Sequence, residues 1–256
     1  VYGKIQKSQA AGDKIRRNLP TVWMKYGISE GINSGDGLIL KAYESILNSS
    51  QFLKHEQVLI LTKIFTNVLI EIVEGQNFEF ELKHKNYVTE DEYMNMVEKK
   101  TGMLIGFSLS SGAFIAGCSP ELQNELMEYG KKLGLAFQIT DDVLNLFGSR
   151  IQYGKEIGGD IKEGKRTLMI IDCLNKCTKQ EKIQLLKILN KNRNEVTQNK
   201  VISVIKLIKK YGSEKIALNK AKMILSDSNN ILNKIENTNL KNILSQMSDF
   251  IIKRRY

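Results

Sequence analysis

Two prolines punctuate this chain, Pro20 and Pro120, and no other residue in its 256 carries the ring that breaks a helix interior. Helices between and beyond them can therefore run long. Residues 33–48 carry Leu38, Ile39, Ala42, Tyr43 and Ile46 at helical steps, and residues 51–74 form a second apolar run. Thr89 stands three positions before Glu92, the reciprocal capping pattern that opens a helix, expected to reach about Lys100. Residues 104–117 are crowded with small side chains, among them Gly106, Ser108, Gly112 and Ala113. Small residues let helices approach closely, so this stretch reads as a central helix. Ser119-Pro120 starts another, expected over 121–146, and residues 148–164 read as a loop rich in Gly and Lys. The remainder returns to helices, broken near Thr178, Gly212 and residues 237–239. No alternating strand pattern, repeat or linker is persuasive, so residues 1–256 are expected to form a single all-α domain.

Composition narrows the function. A hydrophobic fraction of 42% supports a real core, yet no stretch is long and apolar enough to span a bilayer, and no secretory signal opens the chain. The cysteines, Cys118, Cys173 and Cys177, are too few and too odd in number for a disulfide framework, which fits a reducing cytoplasm. Cys173 and Cys177 can share a helix face, but no nearby His completes a zinc set. The net charge of +10 points to an anionic partner without choosing one. Much of the excess interleaves with apolar residues such as Val201, Val204, Ile205 and Ile208, as a solvated helix face does. Zinc-finger spacing, aromatic strand motifs and compact basic arms are absent from the sequence, so nucleic acid is not an expected partner.

The chemistry concentrates in Phe137-Gln138-Ile139-Thr140-Asp141-Asp142-Val143-Leu144-Asn145. Adjacent acids here interrupt an apolar helix. Asp141 and Asn145 share a face, with Gln138 one turn back. Two solvated surface acids are the plain alternative, and the flanking Leu135, Phe137, Ile139, Val143 and Leu144 oppose it. A carboxylate among apolar residues needs a partner, and a hard cation such as Mg²⁺ is one. Lysines set among glycines follow, in Gly154-Lys155-Glu156-Ile157-Gly158-Gly159-Asp160-Ile161-Lys162-Glu163-Gly164-Lys165-Arg166-Thr167-Leu168. Such a loop suits an anion, since glycine admits a close backbone and each ammonium is a mobile charge. Residues 159–166 come near a Walker A loop but fail it: Arg166 stands where the magnesium-binding hydroxyl is needed. Lys162 and Arg166 are expected to be solvated, Trp23 and Met24 to be core, and His55 and His84 to have no role.

FQITDDVLN followed by GKEIGGDIKEGKRTL closely resembles the second aspartate-rich motif and lysine loop of the trans-prenyltransferases, the geranylgeranyl and farnesyl diphosphate synthases. Four further segments match in order. Arg16-Arg17-Asn18-Leu19-Pro20-Thr21 resembles RRGxPT, Ser34-Gly35-Asp36 resembles AGD, Gly75-Gln76-Asn77-Phe78-Glu79 resembles GQxxD, and Lys100-Thr101-Gly102 matches KTG. The resemblance runs from about Lys14 to about Ile171. It implies an isoprenoid-synthase-type helical bundle around a deep central cavity, and homodimers with residues 38–46 and 59–72 as candidate interface helices. It implies condensation of isopentenyl diphosphate with an allylic diphosphate, three magnesium ions bound with the diphosphate, and a geranylgeranyl or farnesyl product. Asp141 would bind magnesium with Asp142 and Asn145 nearby, Asn145 replacing the last acid of DDxxD. Glu79 and Gln76 would support a first metal cluster, and Asp160 would sit one layer behind the metal. Lys100, Lys155 and Lys165 would hold the allylic diphosphate with help from Arg16, and Arg17 would grip isopentenyl diphosphate. Thr101 and Gln138 would face the reacting carbons.

One departure stands out. The family's first DDxxD lies just upstream of RRGxPT, where this sequence reads Lys7-Ser8-Gln9-Ala10-Ala11-Gly12-Asp13. The chain also opens on Val1, which leads us to expect further residues upstream. Either the sequence passes over a segment that carries the motif, which is the favoured expectation, or the protein is a non-catalytic subunit of an active partner. A terpene cyclase would share the metal chemistry but would need neither Arg17 nor the lysine loop.

Overall fold

The computed structural model describes residues 14–16, 19–148 and 156–253. A short antiparallel pair, β1 (Ile15–Arg16) and β2 (Leu19–Pro20), precedes the helices, with Ile15 opposite Pro20 and Arg16 opposite Leu19. Then come α1 (Val22–Tyr26), α2 (Ile28–Asn48), α3 (His55–His84) and α4 (Glu90–Val97). A π-helical turn, Glu98–Gly102, joins α4 to α5 (Met103–Ile115). The long α6 (Pro120–Phe147) follows, then α7 (Gly159–Lys162), α8 (Leu168–Lys176), α9 (Lys179–Leu189), α10 (Gln198–Tyr211), α11 (Ser213–Leu232) and α12 (Thr238–Lys253). The all-α expectation holds.

Most of the expected boundaries rest on caps. Thr89 accepts from the Glu92 amide at 3.1 Å while Glu92 accepts from the Thr89 amide at 2.8 Å, closing the capping box. Thr178 and Glu181 repeat it at the head of α9. Pro120 sits in the first turn of α6, where its missing N–H costs nothing. Gly212 ends α10 in the left-handed region at φ 67°, which glycine adopts without strain.

The core is organised by α6. Leu126, Tyr129, Leu133, Ala136, Ile139 and Val143 are all buried, and α5, α11 and α12 pack around them. The Tyr129 hydroxyl donates to the Leu244 carbonyl at 2.7 Å and lies 2.6 Å from the Ser248 hydroxyl, tying α12 to this helix. Against α5 and the π turn, α6 presents glycine. A Cβ on Gly130 would stand 2.5 Å from the Gly106 Cα, and one on Gly134 would stand 2.6 Å from the Gly102 Cα. Real carbons do not approach so closely, so glycine at these positions is what lets the two backbones touch. The small-residue helix is therefore close-packed as expected, but through Gly106, with Gly102 of the preceding π turn, rather than along its whole length: a Cβ at Gly112 would meet nothing within 4 Å.

The helix α3 continues past the apolar run at 51–74, and Gly75 falls within it. This glycine is buried, with room for no side chain: a Cβ there would meet the Lys100 amide nitrogen at 2.6 Å. Here glycine seats the π turn against α3 and does not end a helix.

Candidate active site

The π turn carries Lys100 and Thr101. Such turns insert one extra residue per turn and re-aim side chains that a regular helix would direct elsewhere. Lys100 is buried and ion-paired with Glu79 of α3, which also accepts from the Gln76 amide at 3.2 Å. Burial draws the Lys100 ammonium down from its ordinary range, against the opposing pull of Glu79. One face of α6 meets this pair. The Thr101 hydroxyl donates to Gln138 Oε1 at 3.2 Å, and Gln138 Nε2 donates to Asp142 Oδ1 at 2.7 Å. The second carboxylate oxygen, Oδ2, accepts from the Tyr93 hydroxyl of α4 at 2.7 Å.

Asp142 is only 6% exposed. Burial pushes its carboxyl up to about 7, and the charge of Asp160 adds to the rise, while Lys165 and the two hydrogen bonds oppose it. Burial likewise raises the Tyr93 phenol, with Asp142 second.

Lysine enters again from the segment between α7 and α8. Asn145 anchors this segment to α6: its side-chain oxygen accepts from the Asp160 amide at 3.0 Å, and its carbonyl accepts from the Gly158 amide at 2.7 Å. Gly158 and Gly164 bend the chain at φ 80° and 69°. Lys165 then pairs with Asp160 at 2.5 Å and Glu163 at 3.2 Å. Burial alone would lower this ammonium; Asp160 and then Glu163 outweigh it and hold it well above its usual range. A pocket opens where these elements converge. Lys100, Gln138, Asp142, Tyr93, Lys165 and Thr167 are in its lining, with Leu82, Met96 and Val97 as its apolar part. Cations, carboxylates and an apolar wall in one cleft suit a molecule with an anionic head and a hydrocarbon tail.

Residues 12–208 match the polyprenyl synthetase family. A short chain isoprenyl diphosphate synthase of Methanocaldococcus jannaschii is 37% identical over 256 residues, all of this chain and 75% of that protein. The geranylgeranyl diphosphate synthase of Sulfolobus acidocaldarius is 34% identical over 95% of this chain and 73% of its own. The crystal structure of a geranylgeranyl pyrophosphate synthetase from Pyrococcus horikoshii superposes with a TM-score of 0.87 at 31% identity, covering 99% of this chain and 76% of that one. This chain is a polyprenyl synthetase family member.

Within the family frame, the expected residues fall into three groups. Lys100, Thr101, Gln138, Asp142 and Lys165 come together at or beside the pocket, with Glu79 and Gln76 bracing Lys100. Arg16 is half-buried on β1 and Asp141 half-buried on α6, and neither is in the pocket lining. Arg17 and Lys155 lie outside the described residues. Asp142, rather than Asp141, faces the pocket because it is the residue four positions after Gln138 and so shares its helix face. The expected metal set is not assembled as one cluster: among the described residues no three acidic, His or Cys side chains group as a metal site. The expected ligands are met otherwise: Glu79 pairs with Lys100, Asp160 pairs with Lys165, and the Asn145 side-chain oxygen accepts from the Asp160 amide. Magnesium needs less than a full cage, since it binds through one or two carboxylates plus phosphate oxygens and waters. The raised Asp142 carboxyl beside Asp160 is the kind of buried acid pair that a cation relieves, so the donor set fits.

Arg166 corrects the sequence reading. It is buried, not solvated, and donates to the Lys85 carbonyl at 3.1 Å, the Gly164 carbonyl at 2.6 Å and Asn190 Oδ1 at 2.6 Å. Burial pulls its guanidinium down to about 10. Tyr93 was not anticipated either. Its signal is spacing: it precedes Lys100 by two helical turns, which puts a hydroxyl and an ammonium on one side of the same helical run.

Proposed function

We propose that this protein elongates prenyl chains by condensing isopentenyl diphosphate head-to-tail with an allylic diphosphate, giving a geranylgeranyl-type product. Relatives named as short chain isoprenyl and geranylgeranyl diphosphate synthases support the reaction class. The observation that carries it is the convergence of Lys100 and Lys165, from separate elements, on the Gln138–Asp142 face of α6. In this reading both ammonium groups, with Lys155, take the diphosphate of the allylic substrate, and Arg16 helps them. Arg17 holds the diphosphate of isopentenyl diphosphate.

The allylic carbon–oxygen bond breaks and its electron pair leaves with the diphosphate, whose charge the lysines stabilise more as it grows. The double bond of isopentenyl diphosphate then supplies the electrons of the new carbon–carbon bond, and transfer of a proton to the departed diphosphate restores a double bond. Gln138 is oriented for the cation formed between these steps. Asp142 accepts from its amide nitrogen, so its carbonyl oxygen is turned to Thr101 and presents negative partial charge there. Leu82, Met96 and Val97 keep water from the cation. Magnesium, three ions in our reading, would be held by Asp141 and Asp142 with Asp160 behind them, and would supply countercharge to the diphosphate.

We also read the chain as a homodimer. The faces of α2 and α3 leave Leu40 and Leu59 69% exposed each, with Leu47, Ile70 and Val73 more than half exposed, a burden of apolar surface that a second copy would cover. The three free cysteines agree with a cytoplasmic setting, and no described helix is long and apolar enough to cross a membrane. Calorimetric titration with a non-hydrolysable allylic diphosphate analogue tests the site. Binding should require Mg²⁺, and equal affinity in EDTA would mean that the acids hold no metal.

A further inference from the structure

Thr167 is the residue of this pocket whose chemistry is unspent. It is 3% exposed, and its hydroxyl has no hydrogen-bond partner among the described residues. Leaving a hydroxyl buried and unbonded is unfavourable, and such groups are few in folded proteins. Its position makes the omission sharper. Thr167 is the N-cap of α8, where a threonine oxygen ordinarily accepts from an amide of the first turn, yet no side-chain cap bond forms. In the same protein Thr89, Ser119 and Thr178 cap in the ordinary way. Thr21 and Thr197 also head helices without a cap bond, but of these uncapped threonines it is Thr167 whose hydroxyl is buried with no partner among the described residues. The first turn of α8 has no acidic residue to answer its positive end.

The surroundings identify what would satisfy it. Thr167 lines the pocket together with Lys100, Lys165 and Arg166. Among the described residues Arg166 bonds three neutral oxygens, which do not cancel its charge. Lys100 and Lys165 are ion-paired with Glu79, Asp160 and Glu163, and Asp142 also lines the cleft. The hydroxyl, the helix amino-terminus and the Arg166 charge together nonetheless suit an anion with several oxygens, and a neutral group would not use them.

We propose that the Thr167 hydroxyl is a binding group for the substrate diphosphate, donating to one of its oxygens alongside Lys165 and Lys100. This rests on the functional reading above and adds a neutral donor to its set of cations. A hydrogen bond from a hydroxyl to a charged oxygen is lost when valine replaces threonine, which corresponds to about 10- to 100-fold in affinity. Valine should cost the fold little here, because no hydrogen bond among the described residues is broken.

The test uses the whole chain, inorganic pyrophosphate with Mg²⁺ as the probe, and two readouts. T167V should weaken pyrophosphate binding by about 10- to 100-fold, while its melting temperature without pyrophosphate stays level or rises. T167S, which keeps the hydroxyl, should bind within a few-fold of the parent. Unchanged pyrophosphate affinity in T167V would overturn the assignment. A melting temperature lowered by several degrees in T167V, or its failure to fold, would show that the hydroxyl serves the helix cap, and would overturn it too. A parent protein that does not bind pyrophosphate at all would defeat the reading of the pocket itself, a result separate from either of these.

Discussion

Asp142 illustrates how much one side chain of this site has to reconcile. It is an acid among apolar neighbours, held by two neutral donors and raised to about 7 by burial and by Asp160. A carboxyl whose pKa is higher folded than unfolded favours the native state most when protonated. Its contribution is therefore fully present below about pH 4 and is lost as pH rises through about 7. Against Asp142→Asn, which does not titrate, the parent should lose on the order of 4 kcal/mol of unfolding free energy between those limits. Urea denaturation of both proteins across that range checks it, and parallel curves would show that Asp142 is not perturbed. Tyr93 should matter for a different reason. Tyr93→Phe removes a donor from a buried carboxylate and should cost about 1–3 kcal/mol of stability at neutral pH, measurable in the same experiment.

Helices meet here through glycine, and that makes a prediction of opposite signs. Alanine favours a helix over glycine by about 1 kcal/mol, so Gly112→Ala, with open space around it, should gain roughly that amount. Gly130→Ala should lose several degrees of melting temperature, since its new carbon would press on the backbone of Gly106 and no side chain can yield. Gly75→Ala should disturb Lys100 directly and weaken diphosphate binding more than it lowers stability. Thermal melts of the first two variants decide whether these contacts are as close as described. Much at this scale was legible beforehand. The Thr89–Glu92 box, Pro120 and Gly212 mark helix ends by local chemistry, which a sequence displays. The reason for Gly75 could not be read locally, because it is a contact with the π turn 25 positions on. Arg166 was misread as solvated because its partners Lys85 and Asn190 lie 81 and 24 residues away. The acids of α6 were found from their apolar flanks, but which of them faces the pocket depended on Gln138 and Tyr93, and the Tyr93 bond spans 49 residues.

Across the whole molecule, the core gathers on α6 while α2 and α3 keep leucines outward. If a second copy covers that face, light scattering at micromolar concentration should give twice the chain mass, and Leu40→Lys with Leu59→Lys should return it to one. A monomeric parent would contradict the dimer. Family membership, the convergence of Lys100 and Lys165, and the acids of α6 all lead to one reaction, and turnover tests it most directly. Labelled isopentenyl diphosphate and an allylic primer are supplied with Mg²⁺ to the parent and to Asp141→Asn, and chain growth is followed. The parent should release a prenyl diphosphate longer by five-carbon steps, and Asp141→Asn, folded and nearly isosteric, should be slower by about 10²–10³. No incorporation by the parent with any allylic primer, or near-parental turnover by Asp141→Asn, would contradict it.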